Sequence, residues 1–320
     1  MLFGLSLILF FFLRLLPGDP AIAILGQHAT PELIARIHES LGLDKPIIVQ
    51  YFIYLGNLLH GDFGSSIIDS RAVSEIFAVR FPVTVELTIG ALVFAVGLGI
   101  PLGRLAGRHP NSWIDALVTV ISLLGISIPI FVLGYGLVYV FSVQLHWLPW
   151  LGPIDPRLNV PPSTHMPIVD AALSGQPGAV IDAFAHLILP AIALGSIPFA
   201  IITRITRASV IDVSNEDYVR TARAKGLTNK RVSDRHIMRN AWLPVITVIG
   251  LQVGLLLAGA VLTETVFVWP GVGSWIVTAI QNHDYIVVQS LILIFATIFL
   301  VVNLLVDIGY AFINPRIRYS

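Results

Sequence analysis

The chain has 320 residues, 56% of them hydrophobic and 12% charged, with a mean hydropathy of +0.84. Soluble domains carry roughly a quarter charged residues, so an ordinary soluble domain is excluded, and no nucleic-acid partner is expected. The formal net charge is zero and there are no cysteines, which excludes a disulfide framework and a thiolate metal site.

Six apolar spans are expected, at about 1–16, 82–106, 113–143, 186–209, 241–263 and 287–311. The first holds roughly 16 apolar residues, fewer than the ~20 that cross hydrocarbon. Its Met1-Leu2-Phe3-Gly4 start has no basic stretch and no small-residue cleavage site comes after it, so it reads as a retained span and not a signal peptide. An extracytoplasmic insert, 17–80, comes next. Within it Pro31 to Leu59 is amphipathic, and Ile34, Ile37, Leu41 and Ile48 suggest short surface helices. Pro101, Pro129, Pro190 and Pro198 interrupt helical runs, while Gly97, Gly99, Gly103, Gly125, Gly134 and Gly136 admit close backbone approach. Broken helices at membrane depth are tolerated beside neighbours or a water-filled cavity. They suit a translocation path, and equally the ordinary kinks of a bundle. Leu148 to Gly178 is too rich in Pro and Gly to be a span. Gly250 and Gly254 form a small-xxx-small pair suited to helix–helix contact.

Between the fourth and fifth spans lies a polar, basic stretch, Ser214 to Pro244. It carries Arg220, Arg223, Lys225, Lys230, Arg231, Arg235 and Arg239, seven of the chain's 19 Lys and Arg. Flanked by long apolar runs, it must lie at a membrane face, and retained positive charge makes that face cytoplasmic. Alternation then places both termini inside. With Arg104, Arg108, Arg204, Arg207, Arg316 and Arg318 on the same side, thirteen basic residues are inside. Arg14, Arg36, Lys45, Arg71, Arg80 and Arg157 are outside or at the outer edge.

The order within this stretch predicts two short helices around a hinge. Ser214 can cap the first, with Asp217 as capping-box partner and Glu216 favoured by the helix N-terminus. Tyr218, Ala222 and Lys225 share a face, and Gly226 supplies the left-handed residue that ends the helix. Thr228 can cap a second helix through His236, after which Trp242-Leu243-Pro244 re-enters the membrane. Such an elbow suits a lever that docks on a cytoplasmic protein; the alternative is a solvated basic loop.

Polar residues in the spans are few. Glu86, Gln252, Asn303 and Asp307 lie in or near hydrocarbon, and Glu264 ends the fifth span. Ionisable groups there are functional-site candidates by default, and Glu86, Gln252 and Glu264 are the translocation-path candidates. For Glu264 a structural hydrogen bond to a nearby loop is an equal alternative, and Asp307 is expected to pair with a basic neighbour. No G-x-x-x-x-G-K-[ST] sequence is present, so the chain builds no P-loop. His146, His165, His186, His236 and His283 show no paired ligand spacing, and no G-x-S-x-G or H-E-x-x-H pattern occurs. No catalytic, cofactor or metal site is therefore expected, and the energy source must lie in other subunits or an ion gradient.

Tyr218-Val219-Arg220-Thr221-Ala222-Arg223-Ala224-Lys225-Gly226, followed by His236-Ile237-Met238-Arg239-Asn240-Ala241 and Pro244, resembles the coupling loop of ABC-importer permeases. More narrowly, it resembles the B-type subunit of the dipeptide, oligopeptide, glutathione and nickel permease group. Leu15-Leu16-Pro17-Gly18-Asp19-Pro20, Leu41-Gly42-Leu43-Asp44-Lys45-Pro46 and His60-Gly61-Asp62-Phe63-Gly64 match that group. So do Phe267-Val268-Trp269-Pro270-Gly271-Val272-Gly273 and Ile313-Asn314-Pro315-Arg316-Ile317-Arg318-Tyr319. The broad importer pattern has Glu-Ala-Ala where this chain has Arg220-Thr221-Ala222, and its Leu-Pro falls earlier than Leu243-Pro244. Both departures look like the peptide and nickel subgroup. Family members begin with a basic stretch and more of the first helix, which leaves a start upstream of Met1 open.

The resemblance implies an all-α membrane protein of the type I ABC importer permease fold, a single domain in the bacterial inner (plasma) membrane. It implies ATPase coupling through Tyr218, Thr221, Ala222, Lys225, Gly226, His236 and Arg239. The implied partners are a second homologous permease, two ATP-binding cassette ATPase subunits that bind ATP and Mg, and an extracytoplasmic solute-binding protein. That last partner is expected to dock on 17–80 and on Phe267 to Tyr285. Di- and oligopeptides are the first expected solutes, then glutathione-like peptides, then nickel chelates. The competing reading is an ion-driven secondary transporter or channel. That class favours a duplicated half and ion-coordinating carboxylates near the midplane, and no internal repeat is visible here.

Overall fold

The computed structural model describes residues 2–15, 30–32 and 44–313. Among these the fold is all-helical, the one β-type pairing being an isolated bridge between Ser65 and Ala72. Ile34, Ile37 and Leu41 of the expected amphipathic stretch lie outside the described residues. So do most of the Leu15 to Pro20 motif, Leu41 to Leu43, and Asn314 to Tyr319.

Two long helices form the spine, α3 (Val73–Arg108, 36 residues) and α7 (Pro177–Ser214, 38 residues). At ~1.5 Å per residue each runs about 55 Å, well beyond the ~30 Å of hydrocarbon. Hydropathy marks only 82–106 and 186–209 of them because their polar ends continue the helix past the apolar run. Small residues bring the pair together. Gly99, Gly103 and Gly107, one per turn of α3, meet Phe199, Thr203 and Val210 of α7, and a Cβ at Gly103 would lie 2.5 Å from the Thr203 carbonyl oxygen. Below this seam Val83, Leu87 and Ala91 of α3 pack with Leu187, Ala191 and Leu194 of α7 and with the buried ring of Trp269.

The expected span 113–143 is two helices. α4 (Trp113–Ser127) and α5 (Ile130–Leu137), which continues as a π-helical turn Val138–Gln144, are bent by 107°. Pro129 is the cause. It pushes the residue before it out of the helical region, and Ile128 is extended at φ −88°, ψ 123°. Gly125 and Gly134 meet Ser196 of α7 and Val266 respectively, whereas Gly97 and Gly136 face open space, against expectation.

Further α-helices are α1 (Leu2–Leu15), α2 (Ile47–Leu59), α6 (Pro167–Leu173), α8 (Asp217–Ala224), α9 (Asn229–Arg231), α10 (Met238–Gly259), α11 (Val261–Val266), α12 (Val272–Gln281) and α13 (Tyr285–Ile313). α2 packs on α1 through Tyr51, whose hydroxyl shares a 3.0 Å hydrogen bond with Ser6. Gly250 and Gly254 of α10 seat Val306 and Phe299 of α13, so the small-residue pair is a helix contact. Among the described residues four helices are long and apolar enough to cross a membrane, Val73–Arg108, Pro177–Ser214, Asn229–Leu257 and Tyr285–Val306. Counting the bent α4–α5 pair makes five, against the six expected from hydropathy; Leu2–Phe12 is apolar but short.

Candidate functional site

The basic stretch folds as an elbow, with a first cap that differs from the one the sequence suggests. α7 runs through Ser214, whose Oγ donates back to the Val210 carbonyl at 2.6 Å instead of capping α8. Glu216 stands at the N-cap of α8 without a side-chain cap. α8 is a two-turn helix, and Gly226 at φ +77° turns the chain out of it. Only glycine adopts that conformation without cost. Thr228 then caps as expected, its Oγ1 accepting from the Arg231 amide at 3.4 Å. The second helix does not stop at His236. It continues from α9 through a π-helical turn, Val232–Ile237, directly into α10, because nothing between Thr228 and Pro244 breaks it.

The expected shared face of Tyr218, Ala222 and Lys225 is divided. Ala222 is 4% exposed, sealed with Val219 against Val210, Val232, Ile237, Met238 and Ala241. Tyr218 and Lys225 remain exposed. The reason is the size of the cluster: a two-turn helix has one apolar stripe, and burying it draws Ala222 inward. The Tyr218 hydroxyl accepts from Asn240 Nδ2 at 2.6 Å and donates to the His236 carbonyl at 3.5 Å, tying α8 to the start of α10. Thr221 is exposed, its hydroxyl bonded to Asp217 of its own helix at 3.0 Å. His236 is half-buried and Arg239 exposed. Arg220, Arg223, Lys225, Lys230, Arg231 and Arg235 all face solvent, and Thr228, Lys230, Arg231, Asp234 and Arg235 line an open cleft of about 440 Å³.

Two ion pairs brace this end. Arg104 of α3 bonds Asp234 in the π-helical turn and donates to Ser233 Oγ at 3.1 Å. Arg207 of α7 grips Asp115 in the first turn of α4 with two nitrogens, Nη2 to Oδ2 at 2.7 Å and Nε to Oδ1. Asp115 also accepts from the Asn111 amide at 3.0 Å, and its side chain is only 6% exposed. The elbow is thereby joined to α3, and α4 to α7. Sequence reading missed both pairs, since partners 130 and 92 positions apart share no local signature.

At the opposite end, the candidate carboxylates Glu264 and Glu86 are hydrogen-bonded within the protein. Glu264 is fully buried in α11, accepting from Thr84 Oγ1 at 2.7 Å and from the Ser274 amide at 2.8 Å. Thr84 in turn accepts from the Val272 amide at 2.9 Å, closing a latch between α3, α11 and α12. Gly271 lies against the Glu264 carboxylate, where a Cβ would overlap it. Glu86, 5% exposed, accepts from the Ile168 amide at 3.0 Å, holding the first turn of α6. It also lines an apolar cavity of about 560 Å³ between α3, α6 and α7. Gln252 is buried on α10. The Asn303 Oδ1 is buried without a partner, and the Asp307 side chain lies outside those described.

A further latch escaped the sequence reading. Asp284, 1% exposed, accepts from Ser66 Oγ at 2.7 Å and the Ile67 amide at 2.9 Å, while capping α13. Its local signal is an acidic residue three before the Val287 amide at a helix start. The stretch 148–178, for which the sequence offers no role, is pinned in the same way by Asp182 to the Asp155 amide at 2.8 Å and by Asp170 to Thr164. No group of three metal-ligating side chains occurs among the described residues.

An all-helical, multi-pass bundle with glycine-packed spans and a braced basic elbow defines a membrane transport subunit of the permease kind. The chain belongs to the family of binding-protein-dependent transport system inner membrane components. That family matches residues 99–319, and its N-terminal companion matches residues 1–88. Among curated relatives, the di/tripeptide transport system permease protein DppB of Pseudomonas aeruginosa is 48% identical over 319 residues, covering 99% of this chain and 95% of the relative. The dipeptide permease DppB of Escherichia coli is 47% identical over 325 residues, covering 99% and 95%. The glutathione permease GsiC of Shigella flexneri is 42% identical over 319 residues, covering 100% and 95%. Among solved structures, an amino acid ABC transporter aligns at TM-score 0.51 and 16% identity over 76% of this chain and 95% of that one. The MetNI methionine ABC transporter aligns at TM-score 0.51 and 14% identity over 72% and 93%. The shared fold is that of ABC transporter membrane subunits. These findings favour the importer permease over the ion-driven alternative.

Proposed function

We propose that this chain is the permease subunit of an ATP-driven, binding-protein-dependent importer of di- and tripeptides. The supporting observation is 48% identity over 99% of the chain to a di/tripeptide permease. Its working partners are a second homologous permease, two ATPase subunits that bind ATP and Mg, and an extracytoplasmic binding protein that delivers the solute. The elbow lies in the cytoplasm with both termini, and residues 17–80 and 267–285 meet the binding protein.

The elbow residues divide the coupling between them. Thr221, Lys225 and Arg239, with the neighbouring exposed arginines, contact the ATPase. Ala222 holds α8 on its apolar cluster, and Tyr218 with the His236 carbonyl links α8 to α10. Gly226 sets the angle. When the ATPase pair closes, α8 and α10 move together because the cluster and the Tyr218 bonds join them. Arg104 carries the displacement to α3, and Arg207 carries it to α4. Spans packed by glycine seams slide with little side-chain obstruction, and a path between the two permeases opens alternately to the two faces.

Reconstitution of the four kinds of subunit into proteoliposomes tests this. ATP-dependent uptake of dialanine, abolished when the binding protein is omitted, is the expected result. Uptake driven by a proton or sodium gradient in the chain alone would contradict it.

A further inference from the structure

At the end of the bundle opposite the elbow, a cavity of about 410 Å³ opens between the first turns of α3, the 148–167 segment and the 267–271 turn. Arg80 reaches it from α3, roughly 36 Å along the helix from Arg104 at ~1.5 Å per residue. Pro153, Pro162, Pro167 and Pro270 stiffen its walls, since each fixes its own φ. The volume falls near the lower end of the ~300–1,000 Å³ of small-molecule sites.

The charges in this cavity are unevenly served. The Arg80 guanidinium lies over the Trp275 ring, 5.9 Å from its centroid, and that ring, on α12, is itself 4% exposed and fixed in the core. Among the described residues Arg80 has neither a salt bridge nor a hydrogen bond. A half-buried guanidinium with no protein partner for its donors and an aromatic ring beneath it suits a planar anion, bound through two parallel bonds. Arg71 at the rim is already matched by Glu75 at 3.6 Å. The Asp69 and Asp170 carboxylates line the same cavity, and Arg80 feels the charge of Asp69 and, behind it, of the buried Glu264. Asp170 is partly engaged, holding Thr164. With one guanidinium free of a direct ion pair and two carboxylates on the same walls, the cavity disfavours a doubly charged anion such as phosphate. It accepts a ligand that carries both signs.

We propose that this cavity is a small-peptide site, in which Arg80 takes the C-terminal carboxylate and Asp69 faces the ammonium group. The inference rests on the importer reading for its substrate class, and places on the permease itself a point where a peptide pauses after delivery. The site is specific to arginine at this position, because a lysine ammonium would keep the charge but lose the planar fork.

The test is binding of radiolabelled dialanine to the complete permease and ATPase assembly in nanodiscs, without the binding protein. The expected result is saturable binding, weakened at least about tenfold by Arg80→Gln through loss of a charge-assisted pair, and about threefold by Asp69→Asn. Dialanine amide, which lacks the carboxylate, should compete poorly in the unmodified assembly. Absence of saturable binding, equal competition by the amide, or unchanged affinity in Arg80→Gln would overturn the proposal. So would a result in which Arg80→Gln weakens capture of the binding protein but not of dialanine. The amide competition needs no variant, so it stands even where Arg80→Gln fails to assemble. Wild-type uptake of dialanine with no binding to the bare assembly would remove this site alone. Failure of wild-type uptake would remove the peptide importer.

Discussion

The Thr84 hydroxyl donates to the Glu264 carboxylate at 2.7 Å across 180 positions of sequence, while accepting from the Val272 amide at 2.9 Å. This pair turns a buried carboxylate, costly in an apolar setting, into the joint that holds α11 and α12 on the spine. Glu264→Ala should leave Thr84 and the Ser274 amide unmet, at a cost of about 3 kcal/mol or more. Glu264→Gln keeps one acceptor oxygen and should cost less. Melting of the purified protein in detergent, read by tryptophan fluorescence, gives the order wild type, Glu264→Gln, Glu264→Ala. Equal midpoints for all three would show that the latch carries no load.

Asp115 and Arg207 make the clearest case for non-additivity. Removing Arg207 strands a carboxylate that is only 6% exposed; removing both leaves no buried charge. Arg207→Ala and Asp115→Ala should each lower the unfolding midpoint, and the double variant should lower it by less than their sum. Strict additivity in this cycle would argue that the two side chains do not meet.

Gly226 offers a conformational test without a steric one, since nothing lies within 4 Å of a Cβ built there. Its φ of +77° alone decides the outcome. Gly226→Asn should be tolerated, Gly226→Ala should cost about 1 kcal/mol, and Gly226→Val more. Gly226→Pro cannot adopt the angle at all. ATP-dependent uptake should fall in that order while the amount of chain in the membrane stays constant. A Gly226→Pro variant with normal uptake would remove the hinge from the coupling path.

Ala222 and Arg223 are neighbours with different expected failures. Ala222→Asp places a carboxylate inside an apolar cluster and should loosen α8, seen as faster proteolysis of the elbow. Arg223→Glu alters only the exposed face and should leave proteolysis unchanged while reducing capture of the ATPase. Matching proteolysis in the two variants would contradict the division between the sealed and exposed faces.

Much of this architecture was legible in the residues because it depends on local chemistry. Apolar runs mark the spans, and the Gly226 hinge and Thr228 cap arise from neighbours within four positions. Ser214 misleads because the same hydroxyl that caps a helix can also bond back into the one before it, and α7 is long enough to claim it. Pro129 is visible, but whether it kinks a span or ends one depends on the Ile128 backbone. The polar latches were not legible as such. Glu264 and Thr84, Asp284 and Ser66, and Arg104 and Asp234 meet only once the chain has folded, so of these the sequence marks Glu264 alone as costly and says nothing of what satisfies it. Glu86 and Glu264 are visible as costly carboxylates in the sequence, but the Ile168 and Ser274 amides that they bond are not.

The most direct measurement is mild detergent extraction from the native membrane, with co-purifying chains identified by mass spectrometry, for wild type and for a variant carrying Arg220→Glu and Arg223→Glu. The expected result is recovery of a P-loop ATPase and a second permease with the wild type, and of the permease without the ATPase in the variant. Recovery of this chain alone from the wild type, with ion-driven uptake in liposomes, would contradict the importer. Undiminished ATPase recovery in the variant would show that the basic elbow is not where the ATPase binds.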